Sequence, residues 1–388
     1  MEGCGVIDLD ANATTALAPE VLEAMLPWLR DGHANPNGSY RAAKAARKAI
    51  DEAREKVAEL IGADAEEIVF TGGGTESVNA ALHSLDVLCG EGKALVSAIE
   101  HSAVLRYAER LPRGVRRIPV TAGGVAHMTD GLMNGAAFVS VMLANNETGV
   151  LQPVAEIAAA AKAKGLPVHT DAIQAIGKIP VNARELGVDL LSLSAHKFYG
   201  PKGVGSLYVR RGFRFAPMFY GGGQENGRRS GTENTAGIVA MGAAAELARA
   251  ALADGSVART AAVRDAFESA VRTGLADVTV NGDVTRRLPN TSHLSFEGCD
   301  AAGLLILLDE AGVACSAGSA CMTGQQKPSH VQLAMGISEE FAKSSLRFSF
   351  SRDADATIAQ QAAVQVIRAV EKLRLVQGPD VGPVTVYT

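Results

Sequence analysis

Two cysteines, Cys315 and Cys321, lie six positions apart in the stretch ACSAGSACMTGQQKPSH, residues 314–330. Only small residues separate them, and a polar run follows Cys321. Such a pair can form a disulfide, bind a metal ion, or leave one thiol exposed as a nucleophile. The chain has five cysteines and no C-x-x-C pattern, which disfavours a metal site and leaves at least one thiol unpaired. A free thiol is therefore the leading interpretation.

A glycine-rich stretch, TGGGTES at residues 71–77, follows the apolar run EIVF and precedes a helical pattern. Glycines let the backbone approach a ligand closely, and the start of a helix offers unpaired N–H groups to a phosphate. A dinucleotide fingerprint requires glycine at the position of Ser77, and no Walker A loop is present. By itself the stretch is more typical of a glycine-rich turn. If it does bind a ligand, one phosphate is the best fit.

Two charged side chains mark the carboxyl ends of apolar strands, with Asp171 at the end of one and Lys197 just after another. Asp171 lies in VHTDAIQ, residues 168–174, and Lys197 lies in LLSLSAHKFYGPKGVG, residues 190–205. Ligands bind at the carboxyl ends of parallel strands, and a lysine that loses solvation there becomes a neutral, nucleophilic amine. Taken alone, the aspartate is equally typical of a helix cap and the lysine is more typical of the surface.

In combination, these three features predict a site for pyridoxal phosphate (PLP). The cofactor needs a lysine for its Schiff base, a carboxylate for its pyridinium nitrogen and a cradle for one phosphate. The glycine-rich helix start, Asp171 and Lys197 supply these groups, in the order phosphate loop, aspartate, lysine along the chain. We therefore interpret the protein as a PLP-dependent enzyme.

The elements that position these residues alternate between apolar strands and alanine-rich amphipathic segments. Strands are predicted at residues 67–70, 94–98, 137–143, 167–172, 188–195 and 204–210. Nearly unbroken apolar strands separated by helices are typical of a mostly parallel sheet covered on both faces. The alanine-rich segment 236–272 predicts one long helix. From about residue 256 the pattern predicts a smaller α+β domain.

Composition excludes several other classes of protein. The 388 residues, 47% hydrophobic with a formal net charge of −5, suit a soluble protein of about two domains. Basic residues are dispersed, and RRGFR at 210–214 is typical of a solvated loop rather than a nucleic-acid surface. The start lacks an apolar signal segment, and no run reaches the roughly 20 apolar residues of a membrane helix. We expect a cytoplasmic protein that binds no nucleic acid, membrane or metal.

A series of longer motifs spans nearly the whole chain. They are DANATT (10–15), ANPN (34–37), EIVFTGGGTES (67–77), EHSAV (100–104), ANNETG (144–149), HTDAIQAIGK (169–178), LSLSAHKFYGPKGVG (191–205), GGGQENGRRSGTEN (221–234), LPNTSHLSF (288–296), SAGSAC (316–321) and LRFSFSR (346–352). In this order they resemble the aminotransferase class V family, and within it the cysteine desulfurases of the NifS/IscS type. The resemblance implies a fold-type I PLP enzyme. We expect a large PLP-binding domain at 15–255 and a small domain formed by 1–14 and 256–388.

Carried over to this sequence, the resemblance implies a role for each matched residue. Lys197 is the implied Schiff-base lysine and the base for the substrate's Cα proton, and His101 stacks on the ring and helps to move protons. The implied ring contacts are Asp171 at the pyridine nitrogen and Gln174 at the phenolic oxygen. The implied phosphate ligands are Gly74, Thr75, Ser194, His196 and, from the second subunit of a homodimer, Thr232. The substrate carboxylate is assigned to Arg347 and to Asn146, which also belongs to the cofactor site.

For the opening cysteines, the resemblance implies that Cys321 attacks the sulfur of cofactor-bound L-cysteine. The products are L-alanine and a persulfide on Cys321, whose sulfur passes to iron–sulfur cluster or other sulfur-acceptor pathways through an unidentified acceptor protein. A mobile loop at about 316–328 is implied to carry the thiol. The chain departs from the family at Cys315, where relatives usually have a small apolar residue. The preceding strand-like GVA predicts that Cys315 is buried and inert rather than a sulfur relay.

Two other functions are compatible with these motifs. A selenocysteine lyase or a cystine β-lyase uses the same cofactor, but a β-lyase needs no thiol of its own, so Cys321 favours desulfuration. Selenocysteine stays open as a second substrate. A non-catalytic sulfur-assembly scaffold could keep the fold, but the intact set of Lys197, Asp171, His101 and Cys321 argues against it.

Overall fold

The structure is a computed structural model that describes residues 6–129, 131–317 and 328–377. Its strands are β1 (Ile7–Asp8), β2 (Ile68–Thr71), β3 (Lys93–Ser97), β4 (Val115–Ile118), β5 (Ala136–Ser140), β6 (Val168–Asp171), β7 (Leu190–Ser194), β8 (Gly205–Val209), β9 (Val278–Val280), β10 (Thr291–Phe296), β11 (Val313–Ala314) and β12 (Ser345–Ser349). Its α-helices are α1 (Pro19–Arg30), α2 (Arg41–Leu60), α3 (Gly74–Leu88), α4 (Ser102–Ala108), α5 (Val154–Ala163), α6 (Ala183–Leu186), α7 (Thr235–Ala253), α8 (Ser256–Gly274), α9 (Ala301–Glu310), α10 (His330–Ala334), α11 (Glu339–Ala342) and α12 (Ala356–Gln377).

The largest described sheet has seven strands in the order β2-β8-β7-β6-β5-β3-β4. Strand β8 is antiparallel to both of its neighbours, and the other pairs are parallel. A short connection can return the chain only antiparallel, whereas a parallel neighbour requires a crossover, here usually a helix. The predicted mostly parallel α/β sheet is therefore confirmed.

Both faces of this sheet are buried. Leu191 and Leu193 of β7 belong to an apolar core with α1, α2 and α7, whereas Leu190 belongs to a second core with α3 and α4. Neighbouring residues of a strand point to opposite faces, so an unbroken apolar strand requires cover on both sides. Helix α7 is long and apolar enough to cross a membrane, but half of its apolar window is buried in the protein, as expected of a core helix.

The carboxyl ends of β2, β6 and β7 lie at the same edge of the sheet. Strand β2 is antiparallel to β8, and β8 is antiparallel to β7, so β2 runs in the same direction as β6 and β7. The glycine turn after β2, Asp171 at the end of β6 and Lys197 after β7 therefore meet at one edge. The strand directions bring together the three features that predicted a cofactor site.

The prediction of one long helix over residues 236–272 is wrong. Helix α7 ends at Ala253, and α8 begins at Ser256. Gly255 between them has φ +84°, a left-handed conformation that cannot continue a right-handed helix. The Asp254 carboxylate accepts hydrogen bonds from the backbone N–H and the hydroxyl of Ser256, which stabilises the break. The two helices consequently pack into different cores.

A third core lies around the antiparallel sheet β12-β10-β9 and helices α8, α9 and α12. It draws its buried residues from Leu9 and from residues 263–373, with Phe267 packed against Phe348 and Phe350 at ring-centroid distances of 4.9 and 5.4 Å. Strand β1 pairs with β11 and so ties the start of the chain to this part. The domain boundaries at 14/15 and 255/256 stay a prediction.

Candidate active site

A cavity of about 270 Å³ lies at the carboxyl edge of the central sheet. Nine of the predicted site residues line it: Gly74, Thr75, His101, Asn146, Asp171, Gln174, Ser194, His196 and Lys197. Thr232 and Arg347 do not line it, and Thr232 is exposed on the surface of this single chain. Cys321 lies outside the described residues. Residues that are widely separated in sequence thus form one concave, mostly polar site.

Lys197 reaches the cavity from the 3-10 turn that follows β7. Its Nζ donates hydrogen bonds to the backbone carbonyls of Asn12 at 2.6 Å and Ala13 at 2.7 Å. Burial, together with the neighbouring Arg347, lowers the pKa of Lys197 to about 8, whereas Asp171 opposes the shift. The amine therefore loses its proton far more readily than a surface lysine, as a nucleophile or base requires.

Asp171 and His101 are two further polar side chains of the cavity. Asp171 is only 4% exposed, and its Oδ1 accepts a hydrogen bond from the backbone N–H of Ile173 at 3.0 Å. Burial raises the pKa of the Asp171 carboxyl, and the nearby His101 opposes that shift. The Nδ1 of His101 accepts from the Ala103 N–H at 3.2 Å, so the proton of the neutral ring is assigned to Nε2. Desolvation lowers the pKa of His101, which favours this neutral form.

The glycine-rich turn forms a cradle against the sheet. Gly73 immediately precedes the first residue of α3. Its φ angle of +144° is one that residues with a side chain rarely adopt. A Cβ on Gly74 would lie 2.4 Å from Cδ1 of Ile173 and 3.2 Å from Cβ of Ser194, so a larger residue would fill this space. The first turn of a helix has N–H groups without intrahelical partners and a positive dipole end. The cradle therefore suits a phosphate group.

His196 lies beside this cradle on the turn that carries Lys197. Its Nδ1 is 3.2 Å from the hydroxyl of Thr14. Burial lowers the pKa of His196 to about 4, and Lys197 adds to the shift. The ring is consequently neutral at physiological pH and offers a hydrogen bond rather than a positive charge.

Gln174 has its amide group held by two partners. Its Nε2 donates to the Asn12 carbonyl at 2.8 Å, and its Oε1 accepts from Nζ of Lys178 at 2.8 Å. Because Lys178 donates to the carbonyl oxygen of the amide, the NH₂ group is assigned to the side of Asn12. Gln174 therefore presents a donor, which suits contact with an anionic oxygen.

Arg347 lies on β12 and is 5% exposed. Its Nη1 donates to the Asn146 carbonyl at 2.9 Å, and its Nη2 donates to Oδ1 of Asp10 at 2.5 Å. The guanidinium is close enough to Lys197 to lower the pKa of that amine. A buried guanidinium next to the lysine can bind a carboxylate-bearing ligand.

A sequence model of the family "Aminotransferase class-V" matches residues 7–360. The chain belongs to this family. It is therefore a PLP-dependent enzyme, as predicted from the glycine cradle, the aspartate and the lysine.

Relatives within the family are cysteine desulfurases. The cysteine desulfurase IscS of Dictyoglomus turgidum is 43% identical over 376 residues, which are 95% of each chain. A solved NifS-like protein superposes with a TM-score of 0.86 at 33% identity, over 95% of this chain and 100% of that one. The structure of SspA in complex with cysteine superposes with a TM-score of 0.76 at 34% identity, over 88% of this chain and 98% of that one. The predicted resemblance to NifS/IscS-type cysteine desulfurases is confirmed.

Cys315, the first cysteine of the opening stretch, lies beside the third core of this class V enzyme. Cys315 follows β11, is half-buried and packs against the third core. Burial raises the pKa of its thiol to about 12, and Asp10 adds to the shift. The predicted loop at 316–328 is described only at its two ends. After the loop, Ser329 donates to the buried Glu147 carboxylate and the His330 ring lies 3.0 Å from the Glu100 carbonyl.

Three residues that touch the site were not predicted to do so. Asp10 contacts Arg347, Asn12 contacts Lys197 and Gln174, and Lys178 contacts Gln174. They belong to the motifs DANATT and HTDAIQAIGK, which carried the family resemblance, but these three residues had no assigned role. The charged and amide side chains within these two motifs were the available signal.

Proposed function

We propose that this enzyme is a cysteine desulfurase that converts L-cysteine into L-alanine and leaves a persulfide on Cys321. The reaction balances without an external oxidant or reductant. The bond between Cβ and sulfur in the substrate breaks, a sulfur–sulfur bond to Cys321 forms, and a proton completes the methyl group of alanine. The observation that carries the proposal is the convergence of Lys197, Asp171 and the glycine cradle on one cavity, in a chain whose relatives are cysteine desulfurases.

The described residues fit PLP. The Lys197 amine would hold its aldehyde carbon, and Asp171 would accept a hydrogen bond from the protonated pyridine nitrogen. Burial of the Asp171 carboxylate raises its pKa in the protein alone. The positive charge of the protonated pyridine would offset the cost of that burial. The N–H groups of Gly74 and Thr75, with Ser194 and His196, would hold the phosphate, joined by the partner subunit's Thr232. When bound, PLP stabilises negative charge at the substrate's Cα.

Lys197 and His101 would move the protons. A lysine with a pKa of about 8 is neutral in a useful fraction at physiological pH, so it can take the Cα proton. The Nε2–H of His101 is the proton donor on the cavity wall, because its Nδ1 is already occupied by the Ala103 N–H. The amide of Gln174 supplies a further hydrogen bond to the phenolic oxygen of the cofactor.

Arg347 and Asn146 would orient the substrate by its carboxylate. SspA, a related chain, was solved in complex with cysteine, which supports L-cysteine as the substrate here. The carboxylate and the amino group at the cofactor would then be two points of attachment, and the thiol would be the group that Cys321 attacks. The persulfide on Cys321 would then pass its sulfur to an acceptor protein in the cytoplasm. That protein would serve iron–sulfur cluster assembly or another sulfur pathway.

The proposal is tested with the holoenzyme, L-cysteine and a reductant. We expect L-alanine and sulfide in equal amounts, because the reductant releases the persulfide sulfur. L-Serine, which has no sulfur, is the matched control and should give neither product. Pyruvate from L-cystine would indicate a β-lyase, and a protein that neither binds PLP nor turns over would indicate a scaffold. Parallel assays with L-selenocysteine show whether selenium is also accepted.

We also propose an obligate homodimer in which the partner subunit's Thr232 completes each phosphate site. Thr232→Ala should weaken PLP affinity by about tenfold to 100-fold, the cost of one hydrogen bond to a charged group. Equilibrium dialysis measures the affinity, and light scattering measures the mass. Ser230→Ala is the control, since its hydroxyl donates to Gly222 within the same loop. Unchanged PLP affinity in Thr232→Ala, or an active monomer, contradicts this prediction.

A further inference from the structure

Arg347 already has a carboxylate partner within its own chain. Its Nη2 donates to Oδ1 of Asp10 at 2.5 Å and its Nη1 to the carbonyl of Asn146 at 2.9 Å. Its buried Nε has no hydrogen-bond partner among the groups that the structure describes. The guanidinium is therefore only partly satisfied, and a charged group of the protein occupies one of its donors.

Backbone pairing holds Asp10 in this place. The backbone N–H of Ser349, two residues after Arg347, donates to the Leu9 carbonyl at 2.6 Å, and the Ala11 N–H donates to the Ser349 carbonyl at 3.1 Å. Asp10 thus lies between two backbone hydrogen bonds to β12. Its side chain is 28% exposed, compared with 6% for Arg347. The arginine is enclosed, whereas the carboxylate is partly open to solvent.

We infer that Asp10 is an internal counter-ion that competes with the substrate's α-carboxylate for Arg347. The inference rests on the proposed function, in which Arg347 binds that carboxylate. A buried guanidinium without an anion is costly, so Asp10 stabilises the substrate-free enzyme. An amino-acid carboxylate offers the same chemistry and must displace Asp10 from Nη2. Part of the binding free energy is lost in that exchange.

The competition acts on product as well as substrate. L-Alanine carries the same carboxylate as L-cysteine, so Asp10 weakens the binding of both to a similar degree. A charged side chain that returns to Arg347 assists the departure of alanine, which has no thiol left to hold it. Asp10 is therefore a determinant of amino-acid affinity and of product release rather than a group that reacts.

A structural role for Asp10 predicts the opposite result. If Asp10 only held Arg347 in position, its removal would disorder the guanidinium and weaken the binding of amino-acid carboxylates. Competition predicts tighter binding, since the anion that blocks Arg347 is gone. The sign of the change in affinity separates the two roles.

The test compares Asp10→Asn with wild type as PLP-loaded enzymes. We expect the Kd of L-alanine, measured from the change in the visible spectrum, to fall about fivefold or more, because a competing charge is removed. The KM for L-cysteine should fall by a similar factor. Asp8→Asn is the control, because Asp8 is exposed two residues away and its Oδ1 accepts a hydrogen bond from the Asp10 N–H. It should leave both constants unchanged.

Asp10→Ser gives a second variant without a carboxylate should Asp10→Asn fold poorly, and thermal unfolding shows whether each is intact. An unchanged or higher Kd for L-alanine in folded Asp10 variants overturns the inference while leaving the proposed function in place. A wild-type holoenzyme that binds neither amino acid and releases no sulfide overturns the proposed function, and the inference with it.

Discussion

Replacing Lys197 by alanine should abolish covalent retention of PLP and reduce sulfide formation by roughly 1000-fold or more, because in the proposed function this one side chain both holds the cofactor and moves the Cα proton. The visible absorption of the lysine-bound cofactor should disappear. Borohydride reduction of wild type, followed by peptide mass spectrometry, should place the cofactor on the peptide that contains Lys197. The same treatment of the variant should yield no modified peptide.

Two other lysines provide controls for this assignment. Lys202 is exposed five residues further along the chain, so Lys202→Ala should retain the cofactor and most of the activity. Lys178 is the other lysine near the site, and burial lowers its pKa well below the ordinary value. Its amine, however, is occupied by the carbonyl and amide oxygens of Gln174. Covalent trapping on Lys178 in wild type would show that the wrong lysine was chosen.

Cys321→Ser should bind PLP and L-cysteine normally and yet release sulfide at least about 1000-fold more slowly than wild type, because it lacks the nucleophile that accepts the sulfur. The proposed carboxylate contact at Arg347 and the proposed cofactor contacts do not use this thiol, so we expect both to be retained. A spectral titration with L-cysteine measures binding, and a sulfide assay measures turnover. Mass spectrometry of cysteine-treated wild type should find one added sulfur on the peptide that contains Cys321.

Cys315→Ser is the matched control for Cys321→Ser. Burial raises the pKa of the Cys315 thiol to about 12, so it is protonated at neutral pH and is a poor nucleophile. The variant should retain most of its turnover and lose about 1 kcal/mol of stability, since a hydroxyl replaces a half-buried thiol. Full activity in Cys321→Ser, or a persulfide found only on Cys315, would reverse the assignment of the two thiols.

Much of the site could be predicted because its signals are local. The apolar runs that end at Asp171 and before Lys197 are strands, and strands of this kind in α/β proteins are parallel. The prediction of a single helix over 236–272 failed because alanine-rich composition continues across Gly255, where one left-handed residue ends the helix. Helix propensity accumulates over a long segment, whereas the break depends on a single φ angle.

By itself the sequence determined the family, the mostly parallel sheet and the meeting of Asp171, Lys197 and the glycine turn at one edge. Only the tertiary structure decided which groups surround them. Lys197 donates to the carbonyl of Asn12, 185 positions away in sequence, and Arg347 to the carboxylate of Asp10, 337 positions away. These contacts depend on how the start of the chain pairs with β12. No local pattern encodes that pairing, since it is set by backbone hydrogen bonds between segments from opposite ends of the chain.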